Sequence, residues 1–288
     1  MERFTPPPSD RTRVALFTTK MEAGGIQRVF ATLARAFVAR GLDVDVLLVS
    51  KRGELLGELP REARVLGVGA PWPLAVRPLL ALPGAARGVA WRWLATRRPR
   101  PAESVAKLAR YFAEAKPAAL LASPTSASLA ALWAAHLARS DVRVIAREAN
   151  TLSRQIEERG EWYHARLPEL AREWYPRAAR VIAVSDGVAD DFARLARYPR
   201  ERITTIHSPV DAARLRELAA QPPDEPWLAP GEPPVVLGVG RLVPAKSFAT
   251  LLRAFAQLRA RRPARLVLLG EGPERAQLEA LARELGIE

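Results

Sequence analysis

The feature that most constrains the fold of this 288-residue chain is an alternation of short apolar runs with helical stretches. Apolar runs with the character of buried strands stand at residues 14–18, 43–49, 64–68, 118–122, 142–147, 180–184 and 202–207. Helices are predicted at residues 26–40, 126–139 and 186–197, and in the first of them apolar residues recur at helical spacing. Strands that alternate with crossover helices indicate an α/β fold with a parallel, doubly wound sheet.

A Pro-rich stretch at residues 221–234 interrupts this alternation and predicts a domain boundary. After it the pattern restarts, with strands at 234–240 and 265–270 and helices at 247–262 and 273–285. We therefore predict an N-terminal domain at residues 1–220 and a second domain at residues 221–288. Two strands and two helices bury little apolar surface, so we expect a complete first domain and only the first part of the second.

Composition excludes several kinds of site. The chain has no cysteine, which excludes disulfides, cysteine-ligated metals and a thiol nucleophile, and its three histidines argue against a multi-histidine metal site. The net charge is +13, but only five of the 44 basic residues are lysine in a chain rich in Ala, Pro and Gly, so a compositional bias and an anionic partner explain the charge equally well. The charge-free run at residues 117–138 is long enough to span a bilayer, but Pro124 and its Ser/Thr neighbours predict a strand, a turn and a helix.

Glycine-containing loops follow three of the predicted strands, at the strand ends where ligands bind in open α/β sheets. After the first strand, Gly24 and Gly25 allow backbone N–H groups to approach an anion at a helix N-terminus, or simply form a flexible turn. After the strand at 265–270, Gly270 and Glu271 are compatible with ligand contact or with a tight turn.

The loop after the strand at 234–240 carries the strongest chemical signal. Gly240 ends the strand, and Arg241 and Lys246 flank the entrance to the next helix. An arginine fork and a lysine point charge beside a helix N-terminus suit a diphosphate. The alternative is a pair of solvated surface cations, and the strand–Gly–Arg context favours the diphosphate.

Taken together, these segments resemble those of family 4 glycosyltransferases. The matching residues are 24–28, 181–188, 208–211, 239–246 and 269–273, and they follow the order of the family over almost the whole chain. The resemblance implies a GT-B type fold, with two Rossmann-like domains facing each other across a cleft. It also implies the transfer of a sugar from a nucleotide sugar to a carbohydrate or lipid-linked acceptor, with retention at the anomeric carbon and without a metal or another cofactor.

The resemblance assigns roles to individual residues. Arg241 and Lys246 are expected to hold the diphosphate and to stabilise the charge of the leaving group, and the Gly24–Gly25 loop to close over the phosphates. Glu148 stands where many members carry a histidine, so we expect it to orient donor or acceptor; the alternative is a salt bridge to Arg147 or another arginine. The family's C-terminal Glu-x7-Glu segment is absent, and we therefore expect the 288-residue fragment alone to be inactive.

A basic and aromatic region suggests a membrane surface as a further partner. Residues 77–110 contain eight basic residues and one acid, together with Trp91 and Trp93. This composition suits a bilayer interface or a lipid-phosphate acceptor, and its alternative is an insertion packed on the domain. We expect a cytoplasmic protein, peripheral at the inner membrane face, in bacterial surface-polysaccharide or glycolipid assembly.

Two other functions remain alternatives from the sequence. A GT-B sugar-nucleotide epimerase shares the architecture, and the cluster from Gly240 to Lys246 favours the transferase over it. A non-catalytic nucleic-acid-binding protein would explain the basic pI of about 11.0. The chain has no recognised nucleic-acid motif and its basic residues are widely spread, so no nucleic-acid partner is predicted.

Overall fold

The structure is a computed structural model that describes residues 4–69, 81–88, 104–159, 162–221, 225–229 and 231–288. The chain divides into two compact units, Met1–Asp211 and Ala212–Glu288. Each unit is built on parallel strands, as the alternation of apolar runs and helices predicts.

Seven parallel strands form the sheet of the first unit. In chain order they are β1 (Arg13–Thr18), β2 (Asp43–Leu48), β3 (Arg64–Gly67), β4 (Ala119–Ala122), β5 (Arg143–Glu148), β6 (Arg180–Ala183) and β7 (Ile203–Thr205). Their order across the sheet is β3-β2-β1-β4-β5-β6-β7. All seven apolar runs are therefore strands, with ends that differ from the predicted ones by at most two residues.

The direction of the strand order reverses between β1 and β4. β1 pairs with β2 on one side and with β4 on the other, so the chain first builds outward to β3 and then returns to build the other half. Such a topological switch point opens a crevice at the carboxyl edge of the sheet, because the loops on its two sides leave in opposite directions.

Helices cover both faces of this sheet. The first helix, α1 (Gly25–Ala39), packs on the face that carries Leu16 and Leu48. The core on the other face contains Phe17 and Trp133 and includes residues of five further helices: α2 (Val105–Ala115), α3 (Thr125–Ala138), α4 (Leu152–Arg159), α5 (Leu167–Trp174) and α6 (Asp186–Ala196). The short helix α4 contributes Leu152. Ser185 caps α6, since its Oγ accepts from the Val188 N–H at 3.3 Å.

Three of the helices described in the first unit are missing from the sequence prediction. α4 and α5 have eight residues each, which is too short for helical periodicity to stand out. α2 does carry such a signal, because Val105, Leu108 and Phe112 recur at helical spacing and are buried.

The charge-free run at residues 117–138 folds as predicted into β4, a turn and α3. Within the described ranges, none of the helices combines the length and the hydropathy that crossing a bilayer requires. Most of the basic and aromatic region, including Trp91 and Trp93, lies outside the described residues.

The second unit contains a helix, a parallel strand pair and two covering helices. Its elements are α7 (Ala212–Ala219), β8 (Val235–Val239), α8 (Phe248–Arg259), β9 (Arg265–Leu269) and α9 (Arg275–Glu284). All of these except α7 are predicted from the sequence. α8 and α9 cover one face of the pair through a small core, to which Phe248, Leu252 and Leu278 belong, whereas Leu237 and Val239 on the opposite face are more than half exposed.

Candidate functional site

The predicted diphosphate loop follows β8. Gly240 directly follows the strand, and its N–H donates to the carbonyl of Leu269 at 3.0 Å. Lys246 closes a short 3-10 turn immediately before α8. A methyl group added to Gly240 would lie 3.6 Å from the Cδ and Cε atoms of Lys246, so the lysine stem passes close to Gly240. The structure thus brings Gly240, Arg241 and Lys246 together at the carboxyl end of β8.

The two cations of this loop are exposed and carry no compensating charge. In the described part of the chain, neither the guanidinium of Arg241 nor the ammonium of Lys246 has a hydrogen-bond or ion-pair partner. Two unpaired cations next to the N-terminus of α8 make this loop electropositive. A dianion such as a diphosphate matches both charges.

The loop after β9 is locked to the loop after β8 through the backbone. The Leu242 N–H donates to the carbonyl of Glu271 at 2.8 Å, and the Glu274 N–H donates to the carbonyl of Leu242 at 3.1 Å. A methyl group on Gly270 would lie 1.8 Å from the carbonyl oxygen of Gly240. A glycine is therefore needed at position 270, because the backbones of the two loops meet there. This requirement is stricter than that of the tight turn considered from the sequence.

Glu271 uses its side chain within the second unit. Its carboxylate pairs with the Arg275 guanidinium at 2.5 Å, and Arg275 also bonds Glu279 at 2.9 Å. The side chain of Glu271 is therefore engaged with Arg275. It is the backbone of Glu271 that lines the loop beside Gly240.

The Gly24–Gly25 loop of the first unit is held in place by its neighbours. The Met21 N–H donates to the carbonyl of Arg52 at 2.9 Å, and the Ala23 N–H donates to Glu54 Oε1 at 2.8 Å. Gly24 has an extended backbone that any residue can adopt, and a methyl group on Gly25 would meet no atom within 4 Å. Since Gly24 offers no capping side chain to α1, the amides of the first helical turn remain available to an external anion.

Glu148, at the carboxyl end of β5, is almost completely buried. Its carboxylate accepts hydrogen bonds from Thr125 Oγ1 at 2.6 Å and from the Tyr175 hydroxyl. Burial raises the pKa of Glu148, and the two hydroxyls and the charge of Arg147 counteract that rise in part. The structure thus places this carboxylate between the first residue of α3 and Tyr175, and no salt bridge to Arg147 forms in the described chain.

Sequence reasoning missed a row of polar residues at the carboxyl ends of three adjacent strands. Thr18 ends β1, Ser123 follows β4, and Arg147 lies near the end of β5. All three side chains are buried, and each has a polar atom without a hydrogen-bond partner: Thr18 Oγ1, Ser123 Oγ and Arg147 Nη1. Each residue follows an apolar run, but only the strand order shows that they are neighbours.

A surface cavity of about 590 Å³ lies at the opposite, amino edge of the same sheet. Its lining includes Pro7, Arg13, Asp43 and Lys116. Because ligands of open α/β sheets bind at the carboxyl edge, this cavity does not displace the loops described above as the candidate site.

Comparison with protein families supports the resemblance seen in the sequence. A family model described as Glycosyltransferase Family 4 matches residues 23–214, about two thirds of the chain. A second model, described as Glycosyl transferases group 1, matches residues 223–288.

Two curated proteins are similar to parts of the chain. D-inositol 3-phosphate glycosyltransferase 2 of Catenulispora acidiphila is 37% identical over 120 residues, which are 38% of this chain and 28% of the relative. Lipopolysaccharide core biosynthesis glycosyltransferase LpsD of Rhizobium meliloti is 33% identical over 144 residues, which are 42% of this chain and 41% of the relative. The matched region thus spans less than half the length of either relative.

Solved structures share the fold at low sequence identity. The Anabaena protein Alr3699/HepE, in complex with UDP and glucose, aligns with a TM-score of 0.64 and 19% identity over 96% of this chain and 67% of its own. The lipopolysaccharide outer core galactosyltransferase WaaB aligns with a TM-score of 0.59 and 16% identity over 96% of this chain and 66% of its own. These similarities confirm the predicted GT-B type of fold.

Proposed function

Because the chain belongs to Glycosyltransferase Family 4, we propose that it transfers a sugar from a nucleotide sugar to an acceptor hydroxyl, with retention at the anomeric carbon. The bond from the anomeric carbon to the diphosphate oxygen breaks, and the bond from that carbon to the acceptor oxygen forms. The acceptor proton leaves with the departing diphosphate. The observation that carries this proposal is the pair of unpartnered cations, Arg241 and Lys246, at the carboxyl end of β8.

The two cations match the main electrostatic demand of this reaction. A departing nucleoside diphosphate gains negative charge, and preorganised positive groups stabilise the transition state most where such charge develops. Arg241 can bind two phosphate oxygens with its fork, and Lys246 acts as a point charge. Gly240 and Gly270 keep the two loops close, and the backbone of Glu271 lines the same loop, so these three are proposed to contact the nucleotide.

The first unit is proposed to contribute the Gly24–Gly25 loop and Glu148. The open amides of the first turn of α1 suit the phosphates of the donor. Glu148 is buried and bonded to Thr125, so we propose that it acts as a positioning residue for the first turn of α3 and does not itself touch the substrate.

The acceptor is proposed to be a carbohydrate or a lipid-linked carbohydrate in surface-polysaccharide or glycolipid assembly. The names of the two curated relatives, one for an inositol phosphate and one for lipopolysaccharide core, support this class of acceptor. UDP-glucose is the first donor to test, because the HepE structure holds UDP and glucose. Peripheral membrane contact through residues 77–110, and a reaction without metal, are parts of the proposal that rest on the sequence alone.

The test of this function is donor binding followed by product analysis. UDP and UDP-glucose are titrated into the wild-type protein and into Arg241→Ala and Lys246→Ala variants by calorimetry. Arg253→Ala is the control, because it removes one exposed cation from α8 in the same unit. Nucleotide binding that both site variants lose and the control keeps supports the proposal. Equal binding by all four proteins, or release of an epimerised nucleotide sugar without transfer, contradicts it.

A further inference from the structure

The row of Thr18, Ser123 and Arg147 lies across the topological switch point of the first unit. Phe17 pairs with Ala122, and Ala122 pairs with Ala146. The next residue on each strand therefore continues the register, and residues in register on parallel strands point to the same face. Phe17, Ala122 and Ala146 belong to the core opposite α1, so the row faces the side of α1.

The polar atoms of this row are buried without partners. Thr18 and Ser123 are 0% exposed and Arg147 is 5% exposed. A buried donor that makes no hydrogen bond destabilises the folded protein. Three such atoms in one row at a ligand-binding edge indicate a site that a ligand completes.

Arg147 is the positively charged residue of this site. Its Nη2 donates to Ser208 Oγ at 2.9 Å, which fixes the guanidinium and leaves Nη1 unbonded. The neighbouring carboxylate of Glu148 points to the other face, where Thr125 and Tyr175 hold it. Two hydroxyls and one fixed guanidinium form a donor-rich, positive group, and an oxygen-rich anion satisfies such a group best.

We propose that Thr18, Ser123 and Arg147 bind a phosphate group carried by the acceptor. This inference rests on the proposed function, because it assigns the acceptor to the switch point of the first unit. The phosphate belongs either to a soluble sugar phosphate or to the headgroup of a lipid-linked acceptor. Both sources present the same chemistry to the row.

The first experiment measures phosphate binding apart from donor binding. Inorganic phosphate and glycerol 3-phosphate are titrated into the wild type and into Arg147→Met, Thr18→Val and Ser123→Ala. Arg147→Met should weaken phosphate binding by about tenfold or more, and each hydroxyl variant by a few-fold. Arg143→Met, at the exposed amino end of the same strand, should bind as the wild type does. UDP affinity should not change in any of these variants.

Thermal melts without ligand separate a binding role from a structural one. If the unbonded Nη1 of Arg147 is reserved for an anion, Arg147→Met removes a buried donor that has no hydrogen-bond partner, and its melting temperature should equal or exceed that of the wild type. If Arg147 serves only the fold, the melting temperature should fall. The hydroxyl variants keep the test valid should Arg147→Met fail to fold, since each removes or replaces a single small group.

Vesicle binding distinguishes the two sources of the phosphate. Phosphatidylcholine vesicles with and without phosphatidate are sedimented with wild type and Arg147→Met. A difference between the two proteins only on phosphatidate indicates a lipid-linked acceptor, and a difference only with glycerol 3-phosphate indicates a soluble one. A wild type that binds UDP but no phosphate probe, or variants that bind phosphate equally well, overturns the inference and leaves the proposed function intact. Absence of UDP binding counts against the proposed function instead.

Discussion

Replacement of Asp45 by Asn tests whether an ion network holds the amino edge of the first sheet. The Asp45 carboxylate is fully buried on β2. It accepts from Arg13 Nη1 at 3.1 Å, from Arg64 Nε and Nη2 at 2.9 and 2.8 Å, and from the Tyr111 hydroxyl at 2.7 Å. Asp45→Asn keeps the shape of the side chain and removes its charge.

The structure sets the size of the expected loss. Removing one partner of a buried ion pair costs about 3–5 kcal/mol, because the other charge stays buried without compensation. Arg13 keeps a second carboxylate, Asp43, at 2.7 Å, so only Arg64 loses its carboxylate, and the Arg64 side chain is 24% exposed. We therefore expect the lower end of the range, about 3 kcal/mol. For a unit of this size that corresponds to a fall of about 6–12 °C in melting temperature.

The assay is urea and thermal unfolding followed by tryptophan fluorescence, since six of the seven tryptophans belong to the first unit. Asp190→Asn is the matched control. Asp190 also pairs with an arginine, Arg200 at 2.6 Å, but its side chain is 67% exposed, so little change is expected. Equal melting temperatures for wild type and Asp45→Asn would refute the assignment of this network as a buried, stabilising one.

Three further predictions concern the candidate site and its support. Arg241→Ala or Lys246→Ala should lower kcat/KM by about 10²-fold, mainly through kcat, because each cation stabilises negative charge that grows in the transition state. Steady-state kinetics, with Arg253→Ala as the control, measures this effect. An unchanged kcat would show that both residues are surface cations. Gly270→Ala forces a methyl group onto the carbonyl of Gly240 and should weaken UDP binding, measured by calorimetry, by about tenfold or more. An unaltered UDP affinity would show that the loops after β8 and β9 can move apart without harm to the site. Burial raises the pKa of Glu148 in the folded protein above its ordinary value of 4.5. The stability that the protonated Glu148 provides is therefore present below pH 4.5 and is lost as the pH rises through the pKa of the folded state, so Glu148→Gln should gain stability relative to the wild type as the pH increases. Parallel pH profiles of the two melting temperatures would contradict this.

The strands and the charged loop were predictable because their signals are local. An apolar run such as residues 43–49 is long enough to identify β2, and Gly240, Arg241 and Lys246 stand together in the sequence. The eight-residue helices α4 and α5 have too few turns to show a period. From the sequence, Gly270 is compatible with a tight turn or with ligand contact, because its structural constraint, the carbonyl of Gly240, belongs to another loop.

The polar row and the ion network escaped prediction because both depend on strand order. Thr18 and Ser123 are more than one hundred residues apart, and only the pairing of β1 with β4 makes them neighbours. Tyr111 and Asp45 meet in the same way, through the packing of α2 on the sheet. The right-handed crossover rule restricts the possible strand orders, and a strand order predicted with it would place these residues next to one another.

The two edges of the first sheet differ in how completely their buried polar groups are hydrogen-bonded, and this difference separates stability from function. At the amino edge, the charge of Asp45 is matched by two arginines and a tyrosine. At the carboxyl edge of the same sheet, Thr18 and Arg147 each keep an unbonded buried atom. A sheet selected for stability alone would satisfy both edges, since each unpaired buried group lowers the stability of the fold. The unsatisfied edge coincides with the switch point where open sheets bind ligands, so its missing partners are best supplied by a substrate.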